Sequence, residues 1–150
     1  MNRVRPGTIP ALVAAPIAFA AAAHYLSVIF ARHRDVPPPP MPVEVGVWFI
    51  AGYAIAGGVL AVTAVTLPRG RAYVLAAAAG MIAFIGMLGT VSSLSLTFGL
   101  SLLLAACLTG VATVRAWRFE GAGKAAMFAT ALLMYLVGIG GYAATVVLPR

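Results

Sequence analysis

The stretch that decides the fold is residues 72–114, AYVLAAAAGMIAFIGMLGTVSSLSLTFGLSLLLAACLTGVATV: 43 residues without a formal charge. As one helix it would be about 65 Å long at 1.5 Å per residue, roughly twice a hydrocarbon core. It must therefore fold back on itself. The turn is expected at Ser92-Ser93-Leu94-Ser95-Leu96-Thr97, the densest run of hydroxyls in the window, flanked by Gly89 and Gly99. Ser and Thr side chains compete for nearby backbone groups, and Gly accepts turn dihedrals.

Three more uncharged windows surround this one: Pro6 to Ala31, Val45 to Pro68 and Ala125 to Pro149. Each is 24–26 residues long, enough for one crossing of about 20 apolar residues. The chain is thus expected to be all-α, a polytopic membrane bundle of five helices near 9–31, 45–67, 72–91, 98–117 and 125–148. The 150 residues form a single transmembrane domain, with a proline-rich outer loop at 32–44. Hydrophobic residues make up 63% of the chain and the mean hydropathy is +1.04, outside the range of soluble globular domains. Residues 32–44 are too few to bury a core of their own.

Charge gives an independent test of the helix count. With five spans, one side carries Arg3, Arg5, Arg69, Arg71, Arg115, Arg118 and Lys124, and the other carries Arg32, Arg34 and Arg150. Four spans would split the basic residues evenly and leave no orienting bias. The excess of Arg and Lys on one side predicts a cytoplasmic N-terminus and an outer C-terminus. Trp48, Tyr73 and Trp117 fall near helix ends, where interfacial aromatics belong. Arg69, Arg71, Arg115, Arg118 and Lys124 are expected to meet lipid headgroups. The net charge of +7 is explained by this placement, so no nucleic-acid partner is expected.

Origin and processing leave weaker marks. Nine Arg against one Lys, abundant Ala and no Gln resemble the bias of a GC-rich bacterial genome, which points to the bacterial inner (plasma) membrane. Arg3 and Arg5 precede an Ala-rich run, as in a signal peptide. The run continues through Tyr25, Val28, Ile29 and Phe30, longer than a signal h-region, so an uncleaved first helix is expected. Pro37 to Pro40 and Pro42 favour an extended polyproline strap, which frees helices 1 and 2 from having to be neighbours. Thr66-Leu67-Pro68-Arg69 and Val147-Leu148-Pro149-Arg150 end two helices alike, too short a match to establish an inverted repeat.

Few residues carry chemistry. All three carboxylates, Asp35, Glu44 and Glu120, fall between the spans. An ion-coupled carrier normally needs an ionisable group inside the membrane, as small drug-efflux proteins need a buried Glu. His24 is the titratable exception within a span. It could ligate haem or contact a quinone; more simply, it bonds a carbonyl or hydroxyl on a neighbouring helix. No other cofactor is expected. His33 lies in the loop, too far along to share a haem with His24 in one chain. Arg32, His33, Arg34 and Asp35 lack metal-ligand spacing. Cys107 stands alone, so no disulfide forms within the chain, and its place in an apolar window predicts a small buried hydrophobe.

The stronger signal is packing. Ala14, Ala18 and Ala22 form a smooth ridge on helix 1. Ala54 and Gly58, Ala76 and Gly80, and Ala106 and Gly110 repeat the spacing on helices 2, 3 and 4. Gly138, Gly140 and Gly141 thin helix 5. Such residues let helix backbones approach closely without a hydrophobic driving force. Ridges on every helix exceed what five helices need, so other membrane subunits or self-association are expected besides the lipid bilayer. The leading functional expectation is a non-enzymatic accessory, scaffold or assembly subunit of a larger membrane complex. One alternative is a homo-oligomeric transporter or channel for a neutral or lipid-like solute, lined by Ser92, Ser95, Thr97, Ser101 and Thr109. Another is a haem- or quinone-binding anchor built on His24.

Overall fold

A computed structural model of the chain describes residues 5–32, 41–91, 96–121 and 123–147, with the backbone only at 41–44. The described residues form five helices: α1 (Thr8–Arg32), α2 (Met41–Thr66), α3 (Arg71–Val91), α4 (Leu96–Glu120) and α5 (Lys124–Val147). All five are long and apolar enough to cross a membrane, which suggests a multi-pass membrane protein. The 43-residue window does divide, with α3 ending at Val91 and α4 starting at Leu96. The hydroxyl run from Ser92 to Ser95 lies outside the described residues.

Helix boundaries follow local chemistry. α2 begins at Met41, four residues before the expected start, and takes Pro42 into its first turn. A proline costs nothing there, because first-turn N–H groups have no intrahelical acceptor. The expected loop is shortened accordingly, and residues 33–40 lie outside the described part. Between α2 and α3, Gly70 adopts φ +75°, and its carbonyl accepts from Tyr73 N–H (3.2 Å) and Val74 N–H (3.3 Å). α4 ends on Gly121 at φ +66°, whose N–H donates to the Trp117 carbonyl (2.9 Å). A residue with a Cβ would be strained in that left-handed cap.

α1, α2, α3 and α4 close into a ring in which each helix packs on the next and α4 returns to α1. The proline strap left the neighbour of α1 open; the structure puts α2 beside it, with Phe30 edge-on to Trp48 at 5.9 Å. The inward stripes repeat at alternating steps of three and four. On α4 the stripe is Phe98, Leu102, Ala105, Thr109, Ala112 and Ala116; on α3 it includes Arg71, Leu75, Ala78, Ile82 and Ile85. This is the spacing of a left-handed bundle seam. Ala14, Ala18 and Ala22 are fully buried in the ring, against Ala51, Ala54, Leu102 and their neighbours. Gly58 meets the Phe19 ring, where an added Cβ would lie 2.8 Å from Cε1.

α5 lies outside the ring, against α3 and the edge of α2. Its one buried residue is Gly138. The contact is made of glycine and aromatics. Gly80 lets α3 reach the α5 backbone at Ala131, Gly138 receives the Phe84 ring and Gly141 receives the Phe49 ring. Phe84 stands edge-on to both Tyr53 (6.0 Å) and Tyr135 (5.7 Å). The Tyr53 hydroxyl donates to the Met134 carbonyl and ties α2 to α5. Gly140 faces open space.

Candidate functional site

One end of the bundle gathers the N-terminal segment, the α2–α3 turn and the α4–α5 turn, and with them most of the basic residues. The structure sorts these into two groups. Arg71 was expected at lipid headgroups and instead points into the bundle, only 2% exposed. Its Nε donates to the Ala64 carbonyl (3.1 Å) and its Nη2 to the Thr8 hydroxyl (3.0 Å). Arg5 Nη1 donates to the Leu67 carbonyl (3.1 Å). Both guanidiniums thus cover carbonyls that the end of α2 leaves without helical donors, where a positive charge also meets the negative end of the helix dipole.

Glu120 is the counter-charge. Its Oε2 accepts from the Ala72 N–H (3.4 Å), capping the start of α3 from the end of α4. Its charge complements that of Arg71, while Arg5 opposes it. Beside it, the Tyr73 hydroxyl accepts from the Gly123 N–H (3.2 Å). Five segments are therefore knotted at this end: residues 5–8, the last turn of α2, the start of α3, the end of α4 and the turn into α5. Arg71 continues the inward stripe of Leu75, Ala78, Ile82 and Ile85 by one more step of four. That spacing was the signal by which sequence reasoning could have found it.

The second group keeps its charge outside. Arg69, Arg115, Arg118 and Lys124 are exposed, in keeping with headgroup contact. Lys124 Nζ sits 4.8 Å from the centre of the Trp117 ring. A groove lined by Arg69, Gly70, Tyr73 and Glu120 opens at the same end.

Other candidate residues lie apart. His24 is exposed on the outer face of α1, although its neighbour Tyr25 is buried and stacked on Phe98 at 4.8 Å. The Ser27 hydroxyl donates to the His24 carbonyl (2.8 Å), and among the described residues the imidazole has no hydrogen bond to another helix. The expected contact to a neighbouring helix is not found among the described residues. His24→Leu should change the stability of the isolated chain by less than about 0.5 kcal/mol, as at an ordinary surface site. Thermal unfolding in detergent measures this. A loss of 1–3 kcal/mol would reveal a polar partner outside the described contacts.

Cys107, expected to be buried, is exposed. It stands next to the ridge of Ala106 and Gly110, which is only half-buried; a Cβ on Gly110 would meet nothing within 4 Å. The reason is register: these residues are one step off the buried Ala105 and Thr109. Ala54, Ala76, Gly58 and Gly80 are buried.

Of the hydroxyls proposed for a pore, Ser92 and Ser95 lie outside the described residues, and the other three do not share one environment. Thr109 is buried and donates to the Ala105 carbonyl (2.7 Å), Ser101 donates to the Thr97 carbonyl (2.7 Å), and Thr97 is exposed. Leu75, Ile82, Ile85, Phe98 and Leu102 fill the ring. His33, Arg34 and Asp35 lie outside the described residues, among which no cluster of three metal-ligating side chains occurs. Compared with known protein families, curated proteins and solved structures, the chain matches none.

Proposed function

We propose that this chain is a non-enzymatic accessory or assembly subunit of a larger bacterial plasma-membrane complex, threaded with its N-terminus in the cytoplasm and its C-terminus outside. The observation that carries this reading is a groove of about 480 Å³ along α3, α4 and α5, lined by Ala83, Ala106, Cys107, Phe128, Ala131 and Leu132. Its walls are mostly small side chains on helix faces that the chain's own packing leaves open. A membrane helix from another subunit fits such a groove because small residues allow close backbone approach, where dispersion holds helices together. The filled ring supports this reading over a solute pore. The seven-to-three split of basic residues supports the orientation.

Purification in mild detergent, with mass spectrometry of co-purifying chains and cofactors, tests the proposal. The expected result is a discrete membrane partner in fixed ratio, lost in Ala106→Phe while the chain stays folded. A pure homo-oligomer would favour the transporter instead. A haem absorption band that vanishes in His24→Gln would favour the anchor. Reporters fused to each terminus test the threading: activity on the same side at both ends would overturn it.

A further inference from the structure

Arg115 and Arg118 differ from Arg5 and Arg71 at their end of the bundle. Arg5 and Arg71 are committed to carbonyls of the α2 terminus. Arg115 and Arg118 are both exposed, and among the described residues neither guanidinium has a hydrogen-bond partner. They lie three apart on α4, so the two cations are surface neighbours that repel one another. The described carboxylate at this end, Glu120, is turned to the Ala72 N–H.

Below them the surface is hollow. A groove of about 550 Å³ runs along α4 from Cys107 past Gly110, Val111 and Val114 to the two arginines. Gly110 makes the hollow, since nothing stands within 4 Å of where its Cβ would be. From Cys107 to Arg118 the helix rises about 16 Å, comparable to much of one acyl chain. The groove is apolar along its length and doubly cationic at its mouth.

We infer that this groove is a binding site for one anionic phospholipid: the phosphate lies between Arg115 and Arg118, and an acyl chain lies over Gly110 against Val111 and Val114. The charge pattern selects the occupant. Two exposed guanidiniums at helix-terminal depth call for a bidentate anion, which a phosphodiester supplies. The apolar floor calls for a hydrocarbon tail attached to that same anion. A zwitterionic lipid supplies the phosphate but brings a cation to a site that already holds two. A free phosphate ion supplies no tail. The site does not depend on the subunit reading, because it concerns the lipid-exposed face of α4.

The test uses the full chain in detergent, with thermal unfolding followed as lipid is added. Dioleoyl phosphatidylglycerol should raise the midpoint in a saturable way, by several degrees more than dioleoyl phosphatidylcholine. The double variant Arg115→Gln/Arg118→Gln should lose that difference. Gly110→Leu, which fills the groove without touching a charge, should lose it too, while Arg69→Gln keeps it. Inorganic phosphate at equal concentration should give no shift. Equal shifts with the two lipids, or a phosphatidylglycerol shift that survives the double arginine change, would overturn the site. A shift reproduced by inorganic phosphate, or unaffected by Gly110→Leu, would overturn the acyl groove. Loss of the effect in Arg69→Gln as well would replace the site by general surface charge.

Discussion

Arg71→Ala should lower the unfolding free energy by about 3–5 kcal/mol, since it removes two hydrogen bonds from a charged donor and strands a buried acceptor. The guanidinium holds the Ala64 carbonyl and the Thr8 hydroxyl together, so its loss frees the start of α1 from the end of α2. Arg71→Lys keeps the charge but lacks the planar fork, and should recover only part of the loss. Arg71→Met fills volume yet leaves the Ala64 carbonyl unpaired, so it should resemble alanine more than lysine. Arg69→Ala, two residues away and exposed, should stay within about 0.5 kcal/mol of the parent. Unfolding by denaturant in detergent, read by tryptophan fluorescence, compares the four. An Arg71→Ala curve that overlays that of Arg69→Ala would show the buried network to be without energetic weight.

Gly80→Ala should be nearly as disruptive, at about 3 kcal/mol, the upper end of what overpacking usually costs. The added methyl would collide with the Ala131 carbonyl oxygen, a backbone atom that cannot rotate aside. α5 must then lift away from α3, and the Tyr53 bond to Met134 and the seat of Phe84 on Gly138 go with it. The ring of α1 to α4 does not need that contact. Hydrogen exchange should therefore rise along α5 and stay low in the other four helices. Gly140→Ala is the control: it faces open space and should be neutral or slightly stabilising through helix propensity. Uniform exchange across all five helices in Gly80→Ala would contradict the peripheral place of α5.

These two positions also mark what the sequence does and does not disclose. The helix count was legible because length is decisive: 43 uncharged residues cannot form one span. Which face of each helix turns inward was harder to see. When nearly every residue is apolar, periodicity loses contrast, because lipid and protein interior ask for the same side chains. Arg71 was assigned to headgroups by its charge, while its register with Leu75 and Ile82 placed it inside. Ala106 and Gly110 matched the small-residue spacing, yet they lie one step off the buried stripe and are only half-buried. His24 and Cys107 went astray for the same reason. Chemistry identified each residue; its angular position around the helix decided what it meets.

The position of α5 bears on the order in which the chain is made. Residues 8–120 supply all four helices of the ring, and α5 follows them in the chain. At about 5–20 residues per second, the stretch from Glu120 to Val147 takes about 1–5 s to follow. Until α5 emerges, α3 presents Gly80 and Phe84 without the helix that covers them, and α5 is the last piece to arrive. Any chain made nearby has that interval in which to compete for the same seat.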